Sequence, residues 1–167
     1  MKKIIPLFLI LCVAAAFFAG CATIGKAKGE MPINGVIQFH DITAVIPSDY
    51  TRDSTQSDED LWIFEKGMYK KYVIFKRSDI TSNAETQLND YVEYITAQGG
   101  SASCGTYLYV QASLGTYYLQ DVYCQEILFV YNNSIYTFAL RGGTEEEFQS
   151  FLNHINTPDT IQSEASK

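Results

Sequence analysis

The stretch "NNSIYTFALRGGTEEEFQSFLNHI" (residues 132–155) contains a turn, a strand and a helix in immediate succession. Its two asparagines, Asn132 and Asn133, predict a tight hairpin turn, because asparagine tolerates the positive φ that such turns require. Thr144 and Glu147 have the spacing of a capping box at a helix N-terminus. Four apolar residues then recur at helical spacing: Phe148, Phe151, Leu152 and Ile155. The stretch therefore predicts a hairpin arm that leads into an amphipathic helix.

A helix of the same design is predicted earlier in the chain. Ser82 and Glu85 have capping-box spacing, and Gly99 with Gly100 supplies a stop signal. The apolar stripe between them consists of Leu88, Tyr91, Val92 and Ile95.

Strand patterns fill the remaining intervals. Segment 35–47 predicts one or two strands with a break near His40, and segment 61–77 predicts a hairpin around Gly67. Segments 104–124 and 126–142 predict two further hairpins. Because both faces of these strands are fairly apolar, we expect the sheet to be covered on both sides. The prediction is one α+β domain: a mostly antiparallel sheet of about six strands, flanked by the two helices as an α/β/α-type sandwich.

A disulfide is predicted within the segment 104–124, "CGTYLYVQASLGTYYLQDVYC". If residues 113–115 form a three-residue loop with Gly115 in the left-handed conformation, the register places Cys104 directly opposite Cys124. An even pair of cysteines in an exported domain favours a disulfide. The alternative is a free or catalytic thiol at Cys104, which no nearby histidine in the sequence supports.

The N-terminus has the layout of a secretory signal peptide, with a positive start, an apolar run and small residues. Its end, Ala19-Gly20-Cys21, is similar to the lipobox of bacterial lipoproteins. This resemblance implies diacylglycerol on the Cys21 sulfur, cleavage before Cys21 and acylation of the new amine. Two alternatives stay open. The uncharged run 4–25 is long enough for an uncleaved membrane anchor, and conventional cleavage after Ala22 would release the protein.

The chain thus divides into a lipoprotein signal peptide (1–20), a tether (21–34), a folded domain (35–156) and a disordered tail (157–167). Removing the two lysines of the signal peptide leaves ten basic residues against 19 acidic ones, a net charge of −9. This charge disfavours nucleic acid and anionic lipid surfaces as partners. We expect the lipid, rather than a basic face, to hold the protein at the membrane.

Few residues suggest catalysis or metal binding. His40 and His154 are the two histidines of the sequence, and His40 beside Asp41 is interpreted as an ordinary turn pair. The acidic segment 49–60 contains weak candidates for calcium ligands, but it lacks the central glycine and final glutamate of an EF-hand; these candidates are Asp53, Asp58 and Asp60. No metal, cofactor or enzymatic activity is expected.

The order of elements resembles the PsbP-like superfamily, which includes extrinsic lumenal proteins of photosystem II, a Ran-binding import factor and bacterial envelope lipoproteins. The likeness lies in "DITAVIPSDY" (41–50), "YVIFKRSDITSNAETQLNDYVEYI" (72–95) and the stretch 132–155. It implies a mostly non-enzymatic protein that assists the assembly or stability of other proteins. No functional residue of the superfamily can be placed on this sequence.

The expected function is therefore that of a lipid-anchored, non-catalytic envelope protein that binds or supports an unidentified protein partner. Its expected place is the bacterial cell membrane or outer membrane, with the domain facing the periplasm or the exterior. The alternative is a lipoprotein that binds a small ligand or metal ion through the 49–60 segment or a tyrosine-lined cleft. The sequence has 12 tyrosines, and an exposed cluster of them would mark a partner site.

Overall fold

The computed structural model describes residues 35–78, 83–107 and 110–158. The predicted signal peptide and the predicted tether, including Cys21, lie outside the described residues. Among the residues that are described, no helix has the length and apolarity needed to cross a membrane.

Nine strands and two helices follow one another along the described chain. In order they are β1 (Gly35–Phe39), β2 (Ile42–Ile46), β3 (Thr51–Arg52), β4 (Leu61–Lys66), β5 (Lys70–Arg77), α1 (Ala84–Ala97), β6 (Ser101–Tyr107), β7 (Val110–Leu119), β8 (Val122–Tyr131), β9 (Ser134–Arg141) and α2 (Glu145–Leu152).

Seven of the strands form one antiparallel sheet in the order β3-β4-β5-β9-β8-β7-β6. The other two, β1 and β2, pair separately as a short antiparallel hairpin. The predicted α+β class is confirmed. The main sheet has seven strands rather than about six because β3, a two-residue strand in the polar segment before β4, pairs with β4 at its edge.

The two helices cover opposite faces of the main sheet, as predicted. On one face, α2 and the β1-β2 hairpin pack on alternate residues of the central strands, including Ile127, Phe129 and Phe138. On the other face, α1 packs on the intervening residues, including Leu128 and Ile135. The alternation follows from strand geometry, in which successive side chains point to opposite sides of the sheet.

The local signals of turns and caps are largely confirmed. Asn132 and Asn133 form the β8-β9 turn with φ of 46° and 56°. Thr144 and Glu147 form both bonds of the capping box at α2. The start of α1 differs from the prediction, because Asn83 is its N-cap and accepts a hydrogen bond from the backbone N–H of Thr86. The predicted cap, Ser82, lies outside the described residues.

The predicted pairing of Cys104 with Cys124 is wrong. Residues 113–115 do not form a loop but lie inside β7, and the β7-β8 turn falls at Gln120 and Asp121. Because β7 separates β6 from β8, the strands of the two cysteines lie about 10 Å apart, whereas a disulfide needs Cα atoms within about 7 Å. Both cysteines are free thiols, Cys104 exposed and Cys124 buried.

The predicted turn at residues 113–115 is wrong because of a contact between residues that are far apart in the sequence. A Cβ atom at Gly115 would collide with the hydroxyl of Tyr91, so the glycine accommodates α1 against the sheet rather than forming a turn.

The folded unit also extends slightly beyond its predicted end. The backbone of Asn156 exchanges two hydrogen bonds with Thr43 of β2, at 3.0 and 2.8 Å. Thr157, which was assigned to the tail, is fully buried. The remainder of the predicted tail, from residue 159, lies outside the described residues.

Candidate functional site

His40 connects the β1-β2 turn to the main sheet. It has a positive φ of 51°, and its Nε2 lies 3.0 Å from the Glu59 carbonyl oxygen and 3.0 Å from Asp60 Oδ1. Its other ring nitrogen lies 3.4 Å from Lys76 Nζ. These contacts fix the hairpin in place and agree with the turn role that the sequence predicts.

The three weak metal candidates are not brought together. Asp53 is buried and accepts hydrogen bonds from the side chains of Thr55 and Gln56. Asp58 accepts from the backbone N–H groups of Asp60 and Leu61, which shapes the turn before β4. In the described part of the chain, no group of three or more His, Cys, Asp or Glu residues has a geometry that could hold a metal ion.

A cleft of about 380 Å³ lies between the turn after β2, the β4-β5 hairpin and α2. Tyr50, Tyr72 and Phe151 form an aromatic floor, with ring centroids 4.7 Å apart for the two tyrosines and 4.5 Å apart for Tyr72 and Phe151. Its volume lies within the range of about 300–1,000 Å³ that is usual for ligand pockets. We call it the tyrosine cleft; further lining residues are Val45, Pro47, Asp49, Lys66, Glu146, Glu147, Ser150 and His154.

Two ion pairs stand at the rim of the tyrosine cleft. Lys66 pairs with Asp49, and its ammonium also lies 5.7 Å from the centroid of the Tyr50 ring. Lys70 Nζ lies 2.8 and 3.1 Å from the two carboxylate oxygens of Glu147. The hydrogen bond from Lys66 lowers the pKa of Asp49, and the hydrogen bond from Lys70 lowers the pKa of Glu147.

Two polar side chains of the tyrosine cleft do not take part in its ion pairs. The Tyr50 hydroxyl is buried and finds no hydrogen-bond partner among the described residues. Burial and the nearby carboxylates of Glu147 and Asp49 raise the pKa of Tyr50 to about 12, so the hydroxyl stays protonated at neutral pH. Within the described chain, the exposed side chain of Glu146 forms no ion pair, and it accepts a long hydrogen bond from the Thr144 hydroxyl at 3.5 Å.

Exposed apolar side chains gather at the adjacent end of the sheet. Met68 and Tyr69 at the β4-β5 turn are 77% and 61% exposed, and Tyr118 near the β7-β8 turn is 73% exposed. Gly142 lies between the two turns. A Cβ atom at Gly142 would touch the Tyr69 backbone, and the Gly142 N–H donates a hydrogen bond to the Tyr123 carbonyl at 2.8 Å.

The rings of Tyr118 and Tyr123 lie 5.4 Å apart. We call Met68, Tyr69, Tyr118 and Tyr123 the aromatic end.

The opposite face of the sheet carries a buried polar cluster that the sequence analysis missed. Glu126 of β8 is buried beneath α1 and accepts a hydrogen bond from the Tyr117 hydroxyl at 2.9 Å. Tyr91 of α1 interacts electrostatically with the same carboxyl group. Burial raises the pKa of Glu126 to about 7 and that of neighbouring Cys124 to about 12. The sequence signal that could have indicated this cluster is Glu126 itself, a charged residue inside the apolar run of β8.

The sheet order, the two helix covers and the separate β1-β2 hairpin define an α+β protein with the PsbP-like fold. The solution structure of cyanobacterial PsbP (CyanoP) from Synechocystis sp. PCC 6803 superposes on this chain with a TM-score of 0.53 and 10% sequence identity. The match covers 80% of this chain and 98% of that one, and it confirms the predicted fold. No family model matches the chain, and no curated protein matches it.

Proposed function

We propose that this chain is a lipid-anchored, non-catalytic protein of the bacterial cell envelope that binds or supports another envelope protein. The observation that carries this proposal is the aromatic end, where Met68, Tyr69 and Tyr118 are each more than half exposed. Tyrosine and methionine are enriched in protein interfaces because they bury large apolar areas. An exposed cluster of them on one edge of a domain fits a surface that a partner covers.

The anchor in this proposal is Cys21, which the lipobox-like sequence assigns to lipid attachment. More than one acyl chain is needed to hold a protein firmly at a membrane, and a triacylated Cys21 meets that need. The 13 residues from 22 to 34 would let the domain reach at most about 45 Å from the bilayer when extended. The partner is therefore expected close to the same membrane, on its periplasmic or exterior side.

A non-catalytic role is supported by how the polar groups of the described residues are used. His40 is engaged by its neighbours in the β1-β2 turn region. His154, just after α2, lies with its Nδ1 2.6 Å from the carbonyl oxygen of Ser150 in that helix. Cys104 lies near Asn89 and Ser113, neither of which can act as a general base for a thiol.

Photo-cross-linking in intact cells tests partner binding directly. A benzophenone amino acid placed at Tyr118 should yield a discrete adduct with one envelope protein. The matched control is the same amino acid at Glu93, which is exposed on α1, on the opposite face of the main sheet from the tyrosine cleft. Equal adducts from both positions, or none from Tyr118, would contradict the proposal.

The anchor has its own test, which is replacement of Cys21 by serine. The variant should remain an unprocessed precursor and should fail to incorporate an alkyne-labelled fatty acid, whereas Cys12→Ser should mature normally. A Cys21→Ser variant that matured and stayed in the membrane would contradict lipid attachment at this residue.

The alternative function, binding of a small ligand or metal ion, has one specific observation in its favour. The tyrosine cleft has the volume of a ligand pocket and contains the unpartnered Tyr50 hydroxyl. As a metal site the 49–60 segment offers no comparable support, because Asp53 and Asp58 are engaged in local hydrogen bonds, while Asp49 and Tyr50 of this segment belong to the cleft. Titration with small organic amines would test this alternative, and binding at the cleft without any cross-linked protein partner would favour it.

A further inference from the structure

We propose that two copies of this chain pair edge to edge through β6, in an antiparallel register about a twofold axis at Cys104. This inference goes beyond the proposed function, because it concerns a second copy of the chain and does not involve the residues of the aromatic end. The occupant of the edge is the second copy; a strand from another protein is an outcome that the experiment separates.

The two edges of the main sheet are built differently. The sheet ends at β3 on one side and at β6 on the other. β3 has two residues, and the segment that follows it covers the rest of that edge, because the backbone N–H groups of Asp53 and Asp58 donate to carbonyl groups of β4. β6 has seven residues, five of them exposed, and no other described strand pairs with its outer side. A long uncovered edge of this kind is a template for pairing with another chain.

The register of the sheet identifies the free backbone groups of β6. Gln120 and Asp121 form the two-residue β7-β8 turn, both with positive φ, so the residues that flank this turn form a hydrogen-bonded pair. Hydrogen-bonded and non-bonded pairs alternate along an antiparallel ladder. The even-numbered residues of β7 therefore bond to the odd-numbered residues of β6. The N–H and C=O groups of Ala102, Cys104 and Thr106 consequently point outward.

These outward groups are self-complementary under a twofold axis. An antiparallel copy centred on Cys104 places Cys104 opposite Cys104 of the second copy, and Ala102 opposite Thr106 of the second copy. In this register every outward N–H of both strands can donate to an outward carbonyl oxygen, whereas a shift of two residues leaves some of them unpaired. A twofold, isologous contact is the commonest arrangement in homo-oligomers.

The side chains of β6 permit this approach. The strand reads "SASCGTY" and has no charged residue, so in an acidic chain this edge adds no like-charge repulsion of its own. Small residues would face one another across the axis: cysteine against cysteine, alanine against threonine and serine against glycine. α1 packs over β6 and β7. With paired strands about 4.8 Å apart, the two α1 helices would lie about 10 Å apart, close to the usual separation of packed helices.

Cys104 reports the register of the pairing. It is a free, exposed thiol, and its Sγ lies on the α1 side of the sheet, 3.5 Å from Asn89 Oδ1. The two Cα atoms of a hydrogen-bonded antiparallel pair lie about 5.5 Å apart, which is within the range that a disulfide can bridge. The pairing needs no covalent bond, but an added oxidant can trap it.

The test is oxidation of the full-length chain in intact cells with diamide, which takes up the two electrons and two protons that a thiol pair releases. We expect a homodimer linked through Cys104, identified by mass spectrometry of the linked peptide, and no such dimer from Cys104→Ser. The matched control moves the thiol by one exposed position, as Ser103→Cys in the Cys104→Ser background.

The control thiol should form the dimer about tenfold more slowly, because its two copies would be diagonal neighbours about 7–8 Å apart, too far for an unstrained disulfide. Equal rates from positions 103 and 104, or no dimer from Cys104, would overturn the inference.

A proline variant tests the backbone pairing itself. The N–H of Thr106 points outward, so Thr106→Pro should spare the β6-β7 ladder and remove two hydrogen bonds from the twofold pair. Thr106→Ala is its control, because it keeps the N–H and loses the same hydroxyl contact with Gln111. Proline should slow cross-linking at Cys104 about tenfold, since it cannot donate to a strand ladder, and alanine should leave the rate unchanged. Equal rates in the two variants would contradict pairing through β6. If proline also lowers the urea midpoint, the comparison of positions 103 and 104 decides.

The outcomes keep the two proposals apart. A Cys104 adduct that contains another protein instead of a second copy would assign the edge to a partner strand and overturn this inference. A Tyr118 adduct with an envelope protein, without a pair linked through Cys104, would leave the proposed function intact and reject this inference alone. A pair linked through Cys104 without any Tyr118 adduct would support the pairing and count against the proposed function.

Discussion

The two faces of the main sheet are built from alternate residues of the same strands, yet they are chemically different. The face beneath α2 and the β1-β2 hairpin is packed with aromatic rings; Phe129 stacks on Tyr136 and Phe138 with centroids 5.7 and 5.9 Å apart. The face beneath α1 buries the carboxyl group of Glu126 beside the thiol of Cys124.

The two faces should therefore differ in how the stability that they contribute depends on pH. On the α2 face, apolar burial stabilises the fold by an amount that does not involve a titrating group near neutral pH. On the α1 face, the carboxyl group of Glu126 is favoured in its protonated form by burial. We therefore expect the α2 face to contribute a constant share of stability, and the α1 face a share that falls as the pH rises.

The largest expected effect is that of Phe138→Ala on the α2 face. Phe138 is fully buried and contacts both Phe129 and Phe151, so its truncation should cost about 3–5 kcal/mol of unfolding free energy. Urea denaturation should show the same loss at pH 5 and pH 8. The exposed control Val36→Ala should change stability by less than about 0.5 kcal/mol. A loss at Phe138 that varied strongly with pH would remove the distinction between the faces.

The second-largest expected effect is that of Glu126→Gln on the α1 face, which should increase the unfolding free energy rather than decrease it. The pKa of Glu126 is raised from 4.5 to about 7 in the folded protein. Stability from this group is therefore fully present below pH 4.5 and is lost as the pH rises toward 7. At pH 8 the variant should be more stable than the wild type by up to about 3 kcal/mol, because an uncharged amide avoids the buried charge.

Below pH 4.5 this gain should largely disappear, since the wild-type carboxyl group is then mostly protonated in both the folded and the unfolded chain. The exposed control Glu93→Gln, on the α1 helix that covers Glu126, should show no comparable pH-dependent gain. A Glu126→Gln variant that was equally stabilised at pH 4 and pH 8 would contradict a raised pKa as the cause.

The features that the sequence predicts depend on residues close together in the chain, whereas the features that it does not predict depend on contacts between distant residues. The α2 cap, the Asn132-Asn133 turn and both apolar stripes depend on residues close together in the chain, and the structure confirms them. The register of segment 104–124 depends on Tyr91 of α1, which occupies the space above Gly115. The actual turn uses Gln120 and Asp121 at positive φ, residues that give a weaker turn signal than glycine or asparagine.

The candidate sites also depend on contacts between residues that are far apart in the sequence. Asp49 and Tyr50 lie in the quoted segment 41–50, but the sequence predicts a tyrosine-lined cleft only in general terms and does not assign it to Tyr50 or Tyr72. The ion pair of Lys70 with Glu147 joins residues 77 positions apart, so only the fold brings these groups together at one cleft.

The smallest expected effect compares the caps of the helices on the two faces. Thr144 and Glu147 form a reciprocal capping box at α2, which has eight residues, whereas Asn83 makes a single cap bond at α1, which has 14. Thr144→Ala should cost about 1 kcal/mol, within the usual range for lost N-caps, and Asn83→Ala should cost less.

The reason for this order is that Glu147 serves both the box and the bond to Lys70, so loss of Thr144 also loosens the ion pair at the rim of the tyrosine cleft. Urea denaturation gives both costs, and the Lys70→Gln background provides the check. If Thr144 acts partly through Lys70, the loss of unfolding free energy caused by Thr144→Ala should be smaller in the Lys70→Gln background. The loss caused by Asn83→Ala should be the same in both backgrounds. Equal free-energy costs of Thr144→Ala in the two backgrounds would show that the cap stabilises α2 independently of the ion pair at the cleft.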